Sequence, residues 1–199
     1  MPCLSEDFFL RDATIVARNL LGKRLVRNVD GRRISGIILE TEAYRGEEDL
    51  ACHARSGKTR RNAVMYGKPG RAYIYFTYGM HWCFNTVCGP AGFPAAVLVR
   101  AIEPDEGLDL IEINRPGIKP ADWCSGPARL CKALGIDGDL NGVYLCESDS
   151  PLFIEDAFLV EEADVTVSPR VGIQYAPEPW RSLPWRFTLD RNWRKRIDG

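Results

Sequence analysis

Between Gly36 and Tyr44 the side chains sort onto two faces with a period of two. Ile37, Leu39 and Thr41 fall on one face, and Ile38, Glu40, Glu42 and Tyr44 on the other, the signature of a β-strand. Ala72 to Thr77 and Ala95 to Ile102 also read as strands, as do Phe158 to Val167 and Trp185 to Leu189. Two helices are predicted. Asp12 suits the N-cap of one that runs to about Leu21 and stops at Gly22. Ser125-Gly126-Pro127 opens the other, which ends at Leu134-Gly135. Strands cluster with few helices between them, so alternating βαβ units are not indicated. The expected fold class is α+β, with a curved, mostly antiparallel sheet. Long loops are expected over Arg45 to Pro69 and Pro104 to Cys124. No internal repeat, low-complexity tract or long linker interrupts the chain, so residues 1–199 read as a single domain.

Three segments break the pattern of a plain core. Glu40, Glu42 and Tyr44 put two carboxylates and an aromatic on one strand face, either a solvated face or a working one. Tyr73, Tyr75 and Tyr78 cluster ahead of Gly79, where a turn is expected. They make either an aromatic-rich core strand or an exposed tip able to stack on or wedge between bases. Arg100 interrupts the apolar run Val97 to Ile102 and requires an acidic partner or a phosphate. Glu42 is the candidate partner.

Composition narrows the choices. Of the 199 residues 45% are apolar, which suits a packed core and excludes a disordered chain. No apolar run approaches the ~20 residues of a membrane span. Met1 to Leu10 carries Glu6 and Asp7 and no basic stretch, so it does not read as a signal peptide. The seven cysteines are odd in number and irregularly spaced, which fits reduced thiols in a cytoplasmic protein better than a disulfide framework. With two histidines, His53 and His81, and no Cys-x2-Cys pair, neither a metal nor another cofactor is expected. The formal net charge is −1, but the charges are segregated. Arg55 to Arg71 holds six bases and no acid, and Arg181 to Gly199 holds six bases against Asp190 and Asp198. Glu147 to Asp164 holds seven acids and Glu103 to Glu112 five, both without a base. Such runs are either solvated loops or the footprint of a phosphate-binding face.

An ordered set of motifs then becomes apparent. It comprises Glu40-Thr-Glu-Ala-Tyr44, His53, Arg61-Asn62, Lys68-Pro-Gly70, Tyr75-x-x-Tyr78-Gly-Met80, Asn85, Arg100-Ala-x-Glu-Pro104 and Cys124-Ser-Gly-Pro127. Together, from about Leu20 to Phe187, these closely resemble the alkyladenine (3-methyladenine, N-methylpurine) DNA glycosylase family of mammalian type. The resemblance implies a fold like that of the formyltransferase C-terminal domain. It also implies an activity: a monofunctional base-excision enzyme that flips a damaged purine and hydrolyses its bond to the sugar. By the same resemblance Glu42 is the general base for the attacking water, Arg100 helps hold that water, and Val171 contributes a backbone carbonyl contact to it. Tyr44 underlies one face of the flipped base, and His53 and Tyr75 cover the other. Asn85 crowds the purine 2-position, and Leu98 completes the pocket. Tyr78 fills the gap left in the duplex. Met80, His81, Lys58, Thr59 and Arg61 are the further DNA contacts. The implied partner is double-stranded DNA carrying damaged purines: 3-methyladenine, 7-methylguanine, hypoxanthine or etheno-adenine. A monomer is expected, cytoplasmic and nucleoid-associated in a prokaryote or nuclear in a eukaryote.

Two departures are visible. His81 and Trp82 replace other aromatics after the Gly-Met step, and the His53–Arg61 loop is about one residue shorter. Three rivals are weaker. A non-catalytic nucleic-acid-binding module would not need Glu42 and Arg100 beside a stacking pocket. A zinc deaminase needs His-x-Glu and Pro-Cys-x-x-Cys, and His53 is followed by Ala54-Arg55. A glycosylase-lyase needs a pocket amine, and the nearest lysines, Lys58 and Lys68, lie in the basic loop.

Overall fold

Strand β2 (Arg32–Arg45) organises the molecule. The computed structural model describes residues 1–190 and Trp193. Within them β2 joins β1 (Arg24–Val29), β3 (Ala72–Thr77), β4 (His81–Val87), β5 (Ala95–Glu106), β6 (Leu152–Glu155), β7 (Val165–Ser168) and β8 (Arg186–Leu189) in one sheet. The spatial order is β3-β4-β5-β2-β1-β6, and every pairing is antiparallel. One edge of β2 is taken along its length by β5. The other is shared: Arg32 to Ile37 pair with β1, and Glu40 to Glu42 pair with β8, which also carries β7. Register shifts on both sides of Glu40 in the β2–β5 ladder bend the strands, as bulges do. The class is the α+β, curved antiparallel one that the periodicity predicts.

Side-chain alternation divides the sheet into two working faces. Ala43, Ile74, Phe84, Val97 and Val99 belong to the main core. Their neighbours Glu42, Tyr73, Asn85 and Leu98 turn the opposite way. The core face is covered by α2 (Ala13–Leu20) and α4 (Pro127–Leu134), with α1 (Glu6–Phe9) and α3 (Leu108–Asn114) at its margins. Helix α2 begins where expected, with Asp12 Oδ1 accepting the Thr14 amide at 2.9 Å. Thr41 Oγ1 donates to the Ala17 carbonyl at 2.8 Å, docking that helix on β2. Gly22 follows with φ +79°, and a Cβ there would lie 2.5 Å from Val160 Cγ2, so the turn admits only glycine.

Two expectations need correction. Phe158 to Val167 is not one strand: only Val165 onward pairs. Before it, Lys23 Nζ and Arg18 Nη2 donate to the carbonyls of Phe158 and Val160, so side chains replace a ladder. Pro104 to Cys124 is not a long loop. β5 runs on to Glu106, α3 follows and buries Ile111, and a 3-10 turn forms at Pro120–Asp122. Ile37 and Ile38 of β2 are both fully buried in the main core. The basic segment Arg181 to Gly199 falls partly outside the described residues.

Candidate active site

Cross-strand register sets the side chains of the second face in a row. Asn85 of β4 stands opposite Leu98 of β5, Leu98 opposite Glu42 of β2, and Glu42 opposite Arg186 of β8. Tyr73 flanks Asn85 on β3, and one step along the strands lie Tyr75, Cys83, Arg100 and Tyr44. This face is not filled by helices. Its residues Tyr44, Tyr73, Tyr75, Asn85, Leu98 and Arg100 form the floor of a cleft of about 370 Å³, the scale of a small-molecule site; Glu42 lies behind Tyr44 and Arg100. The walls of the cleft come from the loops at 51–61 and 171–175 and from Thr77-Tyr78 of the β3–β4 hairpin.

Glu42 is completely buried, with 0% of its surface exposed, and each carboxylate oxygen is held. Oε1 accepts the Val171 amide at 2.7 Å and lies 3.3 Å from Arg100 Nη1. Oε2 accepts the Tyr44 hydroxyl at 2.9 Å. Burial lifts the Glu42 pKa above its ordinary value. Arg100, the Val171 amide and the Tyr44 hydroxyl oppose that lift, and Glu40 adds to it. The predicted Glu42–Arg100 pairing is present, and Glu40 joins it: Arg100 Nε donates to Glu40 Oε1 at 2.8 Å, and Arg186 Nε lies 3.1 Å from the same oxygen. Val171 reaches Glu42 through its amide N–H.

The aromatic walls are equally ordered. His53 and Tyr75 meet edge to face with ring centroids 4.5 Å apart. His53 Nδ1 is 3.0 Å from the Tyr73 hydroxyl, a contact with a residue absent from the expected set although it shares a strand face with Tyr75. The His53 pKa is pushed down to about 4 by the atoms packed around it and by Arg61 and Arg55, so the ring is neutral at physiological pH. Tyr44 lines the cleft with the Arg170 guanidinium 4.7 Å from its ring centroid. Asn85 is buried inside β4 and donates its amide to the Tyr73 carbonyl at 3.0 Å, so it is not a turn cap. Leu98 lies beside it on the cleft floor.

Of the predicted nucleic-acid contacts, Tyr78 and Arg61 line the cleft. Tyr78 is 87% exposed with φ +52°, and Gly79 follows at φ +68°. The turn is closed by the Met80 amide on the Thr77 carbonyl at 3.2 Å. Two positive φ values mark a type I′ hairpin turn, which favours Asn-Gly. A tyrosine there is strained, as functional tips often are. Met80 and His81 are exposed beside it. Arg61 sits over the Tyr75 ring at 5.2 Å and lines the cleft. Lys58 is turned over Tyr66, and Thr59 closes a small turn with Asn62; neither lines the cleft.

Charge pairing explains the segregation seen in the sequence. Acids of the two acidic segments pair with Arg18, Lys23, Arg24, Arg32 and Arg33. Among the described residues no ion pair engages Arg55, Lys58, Arg60, Arg61, Lys68 or Arg71. The basic loop therefore keeps its charge for an external anion. Among the described residues no three His, Cys, Asp or Glu side chains gather as a metal would require, and no helix is long and apolar enough to cross a membrane.

Sequence reasoning missed Arg170 and Asp49. Arg170 is 3% exposed and bonds both oxygens of the fully buried Asp49, at 2.5 and 2.9 Å. Only its place beside Val171 marked it in the sequence.

Comparison with known proteins gives the family. The family model described as methylpurine-DNA glycosylase matches residues 7–193. A Methanocella arvoryzae protein named "Putative 3-methyladenine DNA glycosylase" is 47% identical, covering 96% of this chain and 94% of its own. Proteins of the same name from Carboxydothermus hydrogenoformans (47%; 95% and 96% covered) and Desulfitobacterium hafniense (45%; 96% of each) are similar to the same extent.

Proposed function

The chain belongs to the methylpurine-DNA glycosylase family, and from that premise we propose that it turns a damaged purine out of duplex DNA and releases it with water activated by Glu42. A base within a duplex is inaccessible, and extruding it costs a few kcal/mol. The hairpin tip carries Tyr78 as the wedge to occupy the vacated space, with Met80 and His81 beside it and Arg61 and the basic loop on the phosphates. Stacking between Tyr44 on one side and His53 with Tyr75 on the other returns ~1–3 kcal/mol per contact. Electron-rich rings suit a cationic alkylated purine.

The chemistry then needs little more than the floor of the cleft. Water attacks C1′ as the C1′–N9 bond breaks and its electron pair leaves with the base. Glu42 takes the water's proton and faces the developing oxocarbenium character. Arg100 holds Glu42 and the water in place, assisted by the backbone at Val171. A cationic base departs neutral; hypoxanthine needs a proton as it leaves. Asn85 and Leu98 bound the purine edge. No lysine lines the cleft among the described residues, which supports hydrolysis without strand cleavage.

One observation carries this reading: a completely buried carboxylate, lifted in pKa, whose neighbours Arg100, Tyr44 and Val171 line an aromatic cleft beside a basic loop. The experiment is a panel of duplexes each holding one of 3-methyladenine, 7-methylguanine, hypoxanthine or etheno-adenine. Strand breaks at the lesion after alkali, and none before it, are expected. A panel with no release, or breaks without alkali, contradicts the reading.

A further inference from the structure

We propose that Arg170 and Asp49 are a positioning pair for Glu42, acting through the Val171 amide and the Tyr44 ring. The inference rests on the reading of Glu42 as the general base. Val171 lies outside any strand or helix, so nothing in its own element fixes the N–H that Glu42 accepts at 2.7 Å. The preceding residue supplies the anchor. Arg170 Nη1 donates to Asp49 Oδ2 and to the Ala43 carbonyl at 2.9 Å, and Nη2 donates to Asp49 Oδ1 and to the Trp180 carbonyl at 3.3 Å. Its planar guanidinium also lies between two rings, 4.7 Å from the centroid of Tyr44 and 5.0 Å from that of Trp185.

Asp49 extends the same construction to the other wall. Its Oδ2 accepts the Arg45 amide and its Oδ1 the Ala51 amide, which shapes the turn leading from β2 to His53. One buried ion pair thus ties together the end of β2, the His53 loop, the Val171 loop and the Trp180–Trp185 segment. Two of its direct neighbours, Val171 and Tyr44, are the groups that hydrogen-bond the Glu42 carboxylate. A planar fork with several fixed donors can serve this purpose where an ammonium cannot. Apolar packing would have closed the same space without a desolvation cost, so the choice of a charged pair is informative.

Glu42 is faced by Arg100 of β5, by Glu40 and Tyr44 of its own strand, by Arg186 of β8 opposite it in register, and by Arg170 behind Tyr44. The Val171 amide and Tyr44 hydroxyl both favour its ionised form. Loosening the Arg170 anchor removes donors from the carboxylate, so Glu42 holds its proton to higher pH.

The test is single-turnover release from a duplex with one excisable lesion, measured across pH. Wild type must first show an acidic limb that Glu42→Gln removes; failure at that step overturns the general-base reading itself. The variant is Arg170→Lys, which keeps the ion pair with Asp49 and loses the fork. Asp49→Glu, which keeps both charges and shifts the carboxylate, is measured in parallel, so that one of the two is read if the other melts. A folded, lesion-binding variant whose acidic limb moves up by about one pH unit, roughly the effect of one charge-assisted hydrogen bond, supports the pair as a positioning device. A folded variant with an unmoved limb overturns it, whether its rate is unchanged or lowered equally at every pH. So does the loss of folding in both variants, which reduces the pair to a structural one.

Discussion

Glu42, behind the Tyr44, Arg100 and Val171 that line the cleft, and Tyr78 at its mouth are held in opposite ways. Glu42 is fully buried, bonded on both oxygens and set in a cross-strand row that leaves it no freedom. Tyr78 is 87% exposed on a strained turn among bases without carboxylate partners. In the proposed reaction the site around Glu42 handles charge that develops at one atom, so its dipoles must be fixed in advance. The mouth, in the same proposal, meets a polyanion that arrives from solution, so its charges must stay uncompensated. Changes at the floor should therefore alter stability, rate and selectivity. Changes at the mouth should alter affinity and its salt dependence and leave the fold intact or better.

The largest expected break comes from Asp49→Ala. It leaves the Arg170 charge buried without its partner, a loss of about 3–5 kcal/mol, and thermal denaturation should show it as a melting point lower by roughly 6–20 °C. A melt within two or three degrees of wild type contradicts the floor described above. Next is selectivity. Asn85→Ser opens the pocket at the edge that Asn85 bounds and removes its bond to the Tyr73 carbonyl. Release of guanine relative to hypoxanthine should rise by a factor corresponding to about 1–3 kcal/mol. Equal slowing on both bases assigns Asn85 to packing alone.

At the mouth the sign reverses. Tyr78→Asn places a residue that tolerates φ > 0 on the turn, so the protein should gain about 1 kcal/mol in stability. Extrusion, read as unstacking of a fluorescent etheno-adenine, should weaken at the same time. A less stable variant with normal extrusion reverses both halves of the comparison. The smallest effect is expected from Arg55→Ala. It should weaken binding uniformly over sequences and reduce the slope of log affinity against log salt by about 1. An unchanged slope turns that side chain away from DNA.

The two regions were also unequally legible in the sequence. At the mouth, local order marked Tyr78 beside Gly79 and the contiguous run of bases, but left each open between a plain structural reading and a working one; the exposure of Tyr78 is what the structure adds. At and behind the floor Glu42, Tyr44 and Arg100 stood out, because charges inside apolar strands violate the local pattern. Their connections did not. Arg170 and Asp49 are 121 residues apart, and nothing in either segment declares the pairing. Glu40 was visible, yet its two arginines belong to other strands. The fold class followed from strand periodicity. The Phe158 to Val167 segment was misread because its carbonyls are satisfied by Lys23 and Arg18 from a distant part of the chain. Helix α3 was hidden in an acid-rich stretch whose charges pair with the arginines of β1 and β2.

The central claim is that a buried, pKa-raised Glu42 activates the water, and Glu42→Gln tests it most directly. The measurement is single-turnover release from one defined lesion duplex across pH, with binding of the same duplex measured alongside. Burial raises the Glu42 pKa, and in the proposed mechanism the ionised form is the active one. Wild-type release should therefore fall as pH drops through a value above the ordinary one for a glutamate. Glu42→Gln should bind the lesion duplex like wild type, release the base ~10²–10⁴-fold more slowly and show no such acidic limb. A variant that binds normally and releases the base within a few-fold of wild type, with the limb still present, contradicts the account.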